Sequence, residues 1–105
     1  MKAIINGVRY DTDKAILIGS SCSHEGRGDF RFWTAALYKT PRSGRYFLAG
    51  EGGAMSRFSV SRGINSWSGG EGIHPMDEDE AFAWAQAELA TDEVEAHFPD
   101  LIEDA

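Results

Sequence analysis

Cys22 and His24 stand two residues apart, and a thiol beside an imidazole is the pair a nucleophilic enzyme uses. The imidazole can take the thiol proton only if the side chains meet in space, which this spacing neither guarantees nor excludes. No second feature of a hydrolytic site accompanies them. Cys22, His24, His74 and His97 are also the candidate metal ligands. No C-x2-C or H-x3-H spacing links them, so neither a metal centre nor a cofactor is expected. The expectation is a loop cysteine without a catalytic role. His97, between Ala96 and Phe98, reads as a packing or surface residue.

Three glycine-rich stretches invite a phosphate reading: Gly26-Arg27-Gly28, Gly50-Glu51-Gly52-Gly53 and Gly69-Gly70-Glu71-Gly72. None ends in GK[ST], and none follows a strand–GxGxxG–helix pattern. Glu51 and Glu71 would repel phosphate, so these glycines read as backbone devices. The second and third stretches echo each other.

Basic and aromatic residues interleave between Arg31 and Phe47. Arg31, Trp33, Arg42 and Arg45, with Arg57 beyond, are the raw material of a face on which bases stack beside cations. In a strand, Phe32, Thr34, Ala36 and Tyr38 share one face, and Arg31, Trp33, Ala35, Leu37 and Lys39 the other. A small domain needs most of these rings for its core, so core is the favoured reading. Trp67, in a Gly/Ser loop, either plugs the end of the core or stands exposed as an interaction anchor.

The charge is unevenly divided. The 105 residues carry a formal charge of −7. Residues 1–76 hold ten Lys or Arg and six Asp or Glu, a charge of +4; residues 77–105 hold eleven Asp or Glu and no Lys or Arg, a charge of −11. A charge block can be no more than a solvated face. Alternatively, Asp77, Glu78, Asp79, Glu80, Glu88, Asp92, Glu93 and Glu95 present carboxylates where another protein's cations normally hold phosphates. Such contacts raise association rate and selectivity more than affinity.

The elements that must position these groups are legible in outline. Lys2–Ile5 and Val8–Tyr10 flank Asn6-Gly7, the dipeptide that suits a type I′ hairpin turn because both central residues need positive φ. Ala15–Ile18 is a strand candidate, and residues 19–29 read as a loop. A second hairpin runs from Arg31–Thr40 through Pro41-Arg42-Ser43-Gly44 to Arg45–Ala49. Residues 50–53 are expected to hold no regular structure. Arg57–Ser61 fits a short strand or a helical turn, and residues 65–72 read as a loop. Helical character is expected from Pro75, with Asp77-x-x-Glu80 at capping-box spacing and Ala81, Phe82, Ala85 and Leu89 on one face. Thr91 is placed as the cap of a second, short helix that Pro99 ends, and residues 100–105 are expected to fray. The fold class is α+β: an antiparallel sheet built from hairpins, then one longer and one short helix, in a single domain over 1–105. One cysteine allows no intrachain disulfide. The N-terminal apolar run is too short for a signal peptide, and none reaches the ~18 residues of a membrane span. The expectation is a soluble, cytoplasmic protein.

Several stretches, in order, resemble a broad group of small proteins carried by bacterial mobile elements and phages. They are Ile5-Asn6-Gly7-x-x-Tyr10-Asp11-Thr12, Tyr38-x-Thr40, Gly44-Arg45-Tyr46-Phe47-Leu48 and Gly50-Glu51-Gly52-Gly53-x-Met55. They continue with Asn65-Ser66-Trp67-Ser68-Gly69-Gly70-Glu71, Ile73-x-Pro75 and Glu80-Ala81-x-x-Trp84. The resemblance spans most of residues 4–84 and implies a mobile-element origin, without a reaction or a catalytic residue. Small acidic proteins in that setting are often inhibitors of host defence, anti-CRISPR proteins among them. The first expectation is therefore a non-enzymatic inhibitor acting in the bacterial host. Its carboxylates and Trp67 would contact a basic surface of a Cas effector in place of nucleic acid. Direct nucleic-acid binding through Arg31, Trp33, Arg42, Arg45 and Arg57 is the alternative, and an enzyme using Cys22 and His24 the third reading. The net charge argues against both broad nucleic-acid and anionic-membrane binding.

Overall fold

Asn6 and Gly7 take φ of 51° and 78°, the left-handed pair that a two-residue hairpin turn requires. They join β1 (Lys2–Ile5) to β2 (Val8–Asp11), which pair antiparallel with Ile5 opposite Val8. The computed structural model describes residues 1–23, 32–52, 60–61, 67–68 and 70–105. Beyond the first hairpin it contains β3 (Ile16–Cys22), β4 (Trp33–Lys39), β5 (Tyr46–Gly52), β6 (Val60–Ser61), β7 (Trp67–Ser68) and β8 (Gly70–Met76). Helices α1 (Glu78–Glu88) and α2 (Thr91–His97) follow, then a 3-10 turn over Pro99–Leu101. The protein is α+β: antiparallel sheets, then helices. The main sheet has the order β3-β4-β5-β8, and β6 pairs with β7.

The sheet is buried on both faces, and β5 shows why. Successive side chains of a strand point to opposite faces. Tyr46 and Leu48 belong to one core, with Ile18, Leu37, Ala81, Trp84, Ala85, Val94 and Phe98. Phe47 and Ala49 belong to a second core with Tyr10, against which Ile5, Val8, Tyr38 and Ile73 pack. The layers are thus the β1–β2 hairpin, the four-stranded sheet and the helices. The alternation expected for β4 holds: Trp33, Ala35 and Leu37 face the helices, and Tyr38 faces the hairpin.

Several local expectations give way, among them the loop expected over residues 65–72, where Trp67–Ser68 and Gly70–Gly72 lie in β7 and β8. Gly19–Cys22 continues β3, with Gly19 opposite Leu37 and Cys22 opposite Thr34, after a register shift between Leu17 and Gly19. Gly50-Glu51-Gly52 is strand, although such a segment has low strand propensity. Its backbone pairs on both sides, with Trp33–Ala35 on β4 and Gly70–Gly72 on β8. The two echoing glycine stretches are therefore antiparallel partners: Gly50 opposes Gly72, Glu51 opposes Glu71, and Gly52 opposes Gly70. Pro75, where helical character is expected to begin, lies within β8, and the helix follows only from the Asp77 cap. Because β8 is an edge strand, a residue without an N–H is tolerated there. Finally, the second helix is capped at Ala90, with Thr91 already inside it. The methyl group of Ala90 has no acceptor to offer; instead Glu93 Oε1 accepts the Ala90 N–H at 3.4 Å.

The first helix starts as expected. Asp77 Oδ1 accepts the Glu80 N–H at 2.8 Å, and Glu80 Oε1 accepts the Asp77 N–H at 3.1 Å. This reciprocal box satisfies two donors that the first helical turn would otherwise leave unpaired. Asp77→Ala should lower stability by about 1 kcal/mol, read as a shift of the urea midpoint at unchanged m.

Candidate functional site

The acidic segment is held on the sheet by an apolar stripe. Ala81, Trp84 and Ala85 are buried at helical spacing on α1, and Val94 is buried on α2. The Phe98 ring lies 5.5 Å from both Tyr46 and Phe82, measured between centroids, and ties the end of α2 to sheet and helix. With these residues turned inward, the carboxylates are left outside. Glu78 and Asp79 on α1 and Asp92 and Glu95 on α2 are exposed. Among the described residues none of the four has an ion-pair partner.

The other four candidate carboxylates have internal partners. Asp77 and Glu80 form the capping box. Glu88 Oε2 accepts the Ser21 hydroxyl of β3 at 3.0 Å. Glu93 is half-buried at the start of α2 and lies over Gly19, where an added Cβ would come within 2.6 Å of its Oε2 and 2.8 Å of Leu89. The close approach of helices to β3 thus depends on a glycine. Glu88 and Glu93 hold the helical layer to the sheet and its own cap; Glu78, Asp79, Asp92 and Glu95 remain exposed.

Between α1, α2 and the chain end lies an open hollow of about 470 Å³, lined by the apolar Phe82, Leu89, Val94 and Leu101 and by Glu95 and Glu103. The expected fraying of residues 100–105 is corrected at its start. Leu101 closes the 3-10 turn and packs on the helix-side core. Sequence reasoning missed this surface because Leu101 and Glu103 have no periodic neighbours; only their position beside α1 gives them a place.

The remaining candidates are scattered. Arg42 and Arg45 are exposed in and just after the β4–β5 turn, while Trp33, at the far end of β4, is half-buried against the helix-side core. Tyr38 stacks on Phe47 at 5.3 Å, inside the hairpin-side core. These rings are engaged with one another. Cys22 is a free, exposed thiol at the end of β3. Trp67 lies in β7 with its backbone opposite Ser61; its side chain, and all of His24, Arg31 and Arg57, lie outside the described residues. Among the described residues no group of three or more His, Cys, Asp or Glu is placed to hold a metal ion. No helix among them is long and apolar enough to cross a membrane.

Fold and surface together define an α+β protein whose helical layer carries four exposed carboxylates without ion-pair partners among the described residues. No protein-family model matches the chain, and neither a curated protein nor a solved structure matches it.

Proposed function

We propose that this protein is a stoichiometric inhibitor of the anti-CRISPR type, acting in the cytoplasm of a bacterial host. Its carboxylate face occupies a cationic, nucleic-acid-binding surface of a Cas effector. The observation that carries the reading is the exposure of Glu78, Asp79, Asp92 and Glu95 on two docked helices, in a segment with no Lys or Arg. A rigid array of carboxylates can stand in for backbone phosphates, and its field speeds encounter with a positive groove. The neighbouring hollow supplies apolar surface, which a purely charged contact lacks. The ordered resemblance to proteins of mobile elements supports the setting.

The test is a pull-down of Cas effector subunits, followed by a target-DNA binding assay, with the parent and with Glu78→Lys/Asp79→Lys/Asp92→Lys/Glu95→Lys. This variant spares the cap and the Ser21–Glu88 bond. The parent should bind and block DNA, more weakly as salt rises. The variant should associate roughly ten- to a thousandfold more slowly. Equal inhibition by the variant would remove the acidic face as the site, and absence of binding to any effector subunit would remove the target.

A further inference from the structure

At the opposite extreme of charge, the β2–β3 and β4–β5 turns enclose a hollow of about 540 Å³ lined by Arg9, Lys14 and Arg42. The geometry points to this hollow as a binding site for a phosphate group. Arg9 and Lys14 are five residues apart, and Arg42 joins them from a turn distant in sequence. Arg9 is on β2 on the side away from the buried Tyr10. Lys14 sits in a turn where its N–H bonds the Asp11 carbonyl at 3.3 Å. Arg42 is in the turn following Thr40. All three are exposed, and among the described residues none has an ion-pair partner. One carboxylate, Asp11, also lines the hollow, which leaves a net charge of +2; its Oδ1 accepts the Asp13 N–H at 3.0 Å.

The walls are pre-organised and include a neutral donor. The β4–β5 turn is closed by Gly44 N–H to the Thr40 carbonyl at 3.2 Å and by Arg45 N–H to Thr40 Oγ1 at 2.9 Å. Thr40 Oγ1 and Ser43 Oγ, both lining the hollow, share one hydrogen bond of 2.8 Å. Two hydroxyls carry two protons, and one bond between them uses one. Whichever group donates, a hydroxyl proton is left for an anion beside Arg42. Guanidinium forks with an ammonium and a hydroxyl make a donor set suited to a phosphate's several oxygens. The site is independent of the acidic face and is unaffected if the inhibitor reading fails.

The experiment titrates the full chain at low salt with inorganic phosphate and, separately, with a single-stranded DNA oligonucleotide, reading amide chemical shifts. Either probe should move the amides of Lys14, Thr40 and Ser43. Arg9→Gln/Lys14→Gln/Arg42→Gln, with an unchanged circular dichroism spectrum, should weaken binding by roughly tenfold or more, since each charged hydrogen bond contributes on that scale. If the source is a nucleic-acid backbone, the oligonucleotide binds more tightly than phosphate, with a log affinity–log salt slope near −2 for about three phosphates. If it is a free phosphate-bearing molecule, inorganic phosphate binds as tightly as the oligonucleotide. Absence of shifts at these amides, equal binding by the triple variant, or equal competition by poly-glutamate would overturn the assignment.

Discussion

Phe47→Ala is expected to lower the unfolding free energy by about 3–5 kcal/mol, a large part of the ~5–15 kcal/mol that holds a domain of this kind. Phe47 is fully buried at the centre of the sheet. Its ring meets Tyr10 edge-on at 5.3 Å and stacks on Tyr38 at 5.3 Å. Truncation forfeits the transfer free energy of the ring, leaves a cavity, and ends two aromatic contacts of ~0.5–1.5 kcal/mol each. Tyr10 belongs to the β1–β2 hairpin, so the loss falls first on the seam that holds this layer. Amides of β2 should exchange faster than those of α1, and the urea midpoint should fall. A cost below about 1 kcal/mol, the size of an ordinary surface effect, would show that the hairpin is not anchored through this ring.

Trp84→Ala is expected to cost a similar amount, about 3–5 kcal/mol, from the other side of the sheet. Trp84 is 7% exposed and packs in the core shared by β3, β4, β5, α1 and α2. The other buried residues of α1 are alanines, Ala81 and Ala85, so the indole is the largest buried side chain of this helix, with Phe82 and Leu89 packing at the margin. Loss of the indole should free the helical layer while the hairpin-side core persists. Denaturation and the amide exchange of α1 measure this, and Trp84→Phe should restore part of the stability. The four exposed carboxylates keep fixed positions only while their helices are docked. Under the proposed function, Trp84→Ala loses partner binding in proportion to undocking, although it removes no charge. Full binding by an undocked variant would mean that the acidic segment works as a flexible polyanion.

The two substitutions test opposite faces of one sheet, and this arrangement bears on how the charges are presented. The hairpin layer brings Arg9 and Lys14 alongside the β4–β5 turn, and the helical layer carries Glu78, Asp79, Asp92 and Glu95. Opposite charges on separate layers coexist without ion pairs between them among the described residues. A net charge of −7 therefore describes neither surface.

How much of this was legible beforehand depended on the range of the interaction responsible. Asn6-Gly7, the two-sided alternation of β4 and the Asp77–Glu80 box are decided within a few residues. The positive φ of the turn, the pleat and the cap hydrogen bonds are local physics, so they can be read from neighbouring residue types. The sequence by itself also determined the separation of charge, which is a property of composition. The strand character of Gly50–Gly52 and Gly70–Gly72 was decided by tertiary structure alone. Glycine has no local preference for strand, and these residues are held by hydrogen bonds to chain that is distant in sequence. Which carboxylates are spent inside the fold was likewise a tertiary matter. Glu88 finds Ser21 across 67 residues, Glu93 settles over Gly19, and Glu78, Asp79, Asp92 and Glu95 are left outside because the apolar stripe of their helices turns inward. The meeting of Arg9, Lys14 and Arg42 has the same origin: two turns separated in the chain lie side by side only once the hairpin has packed on the sheet through Phe47.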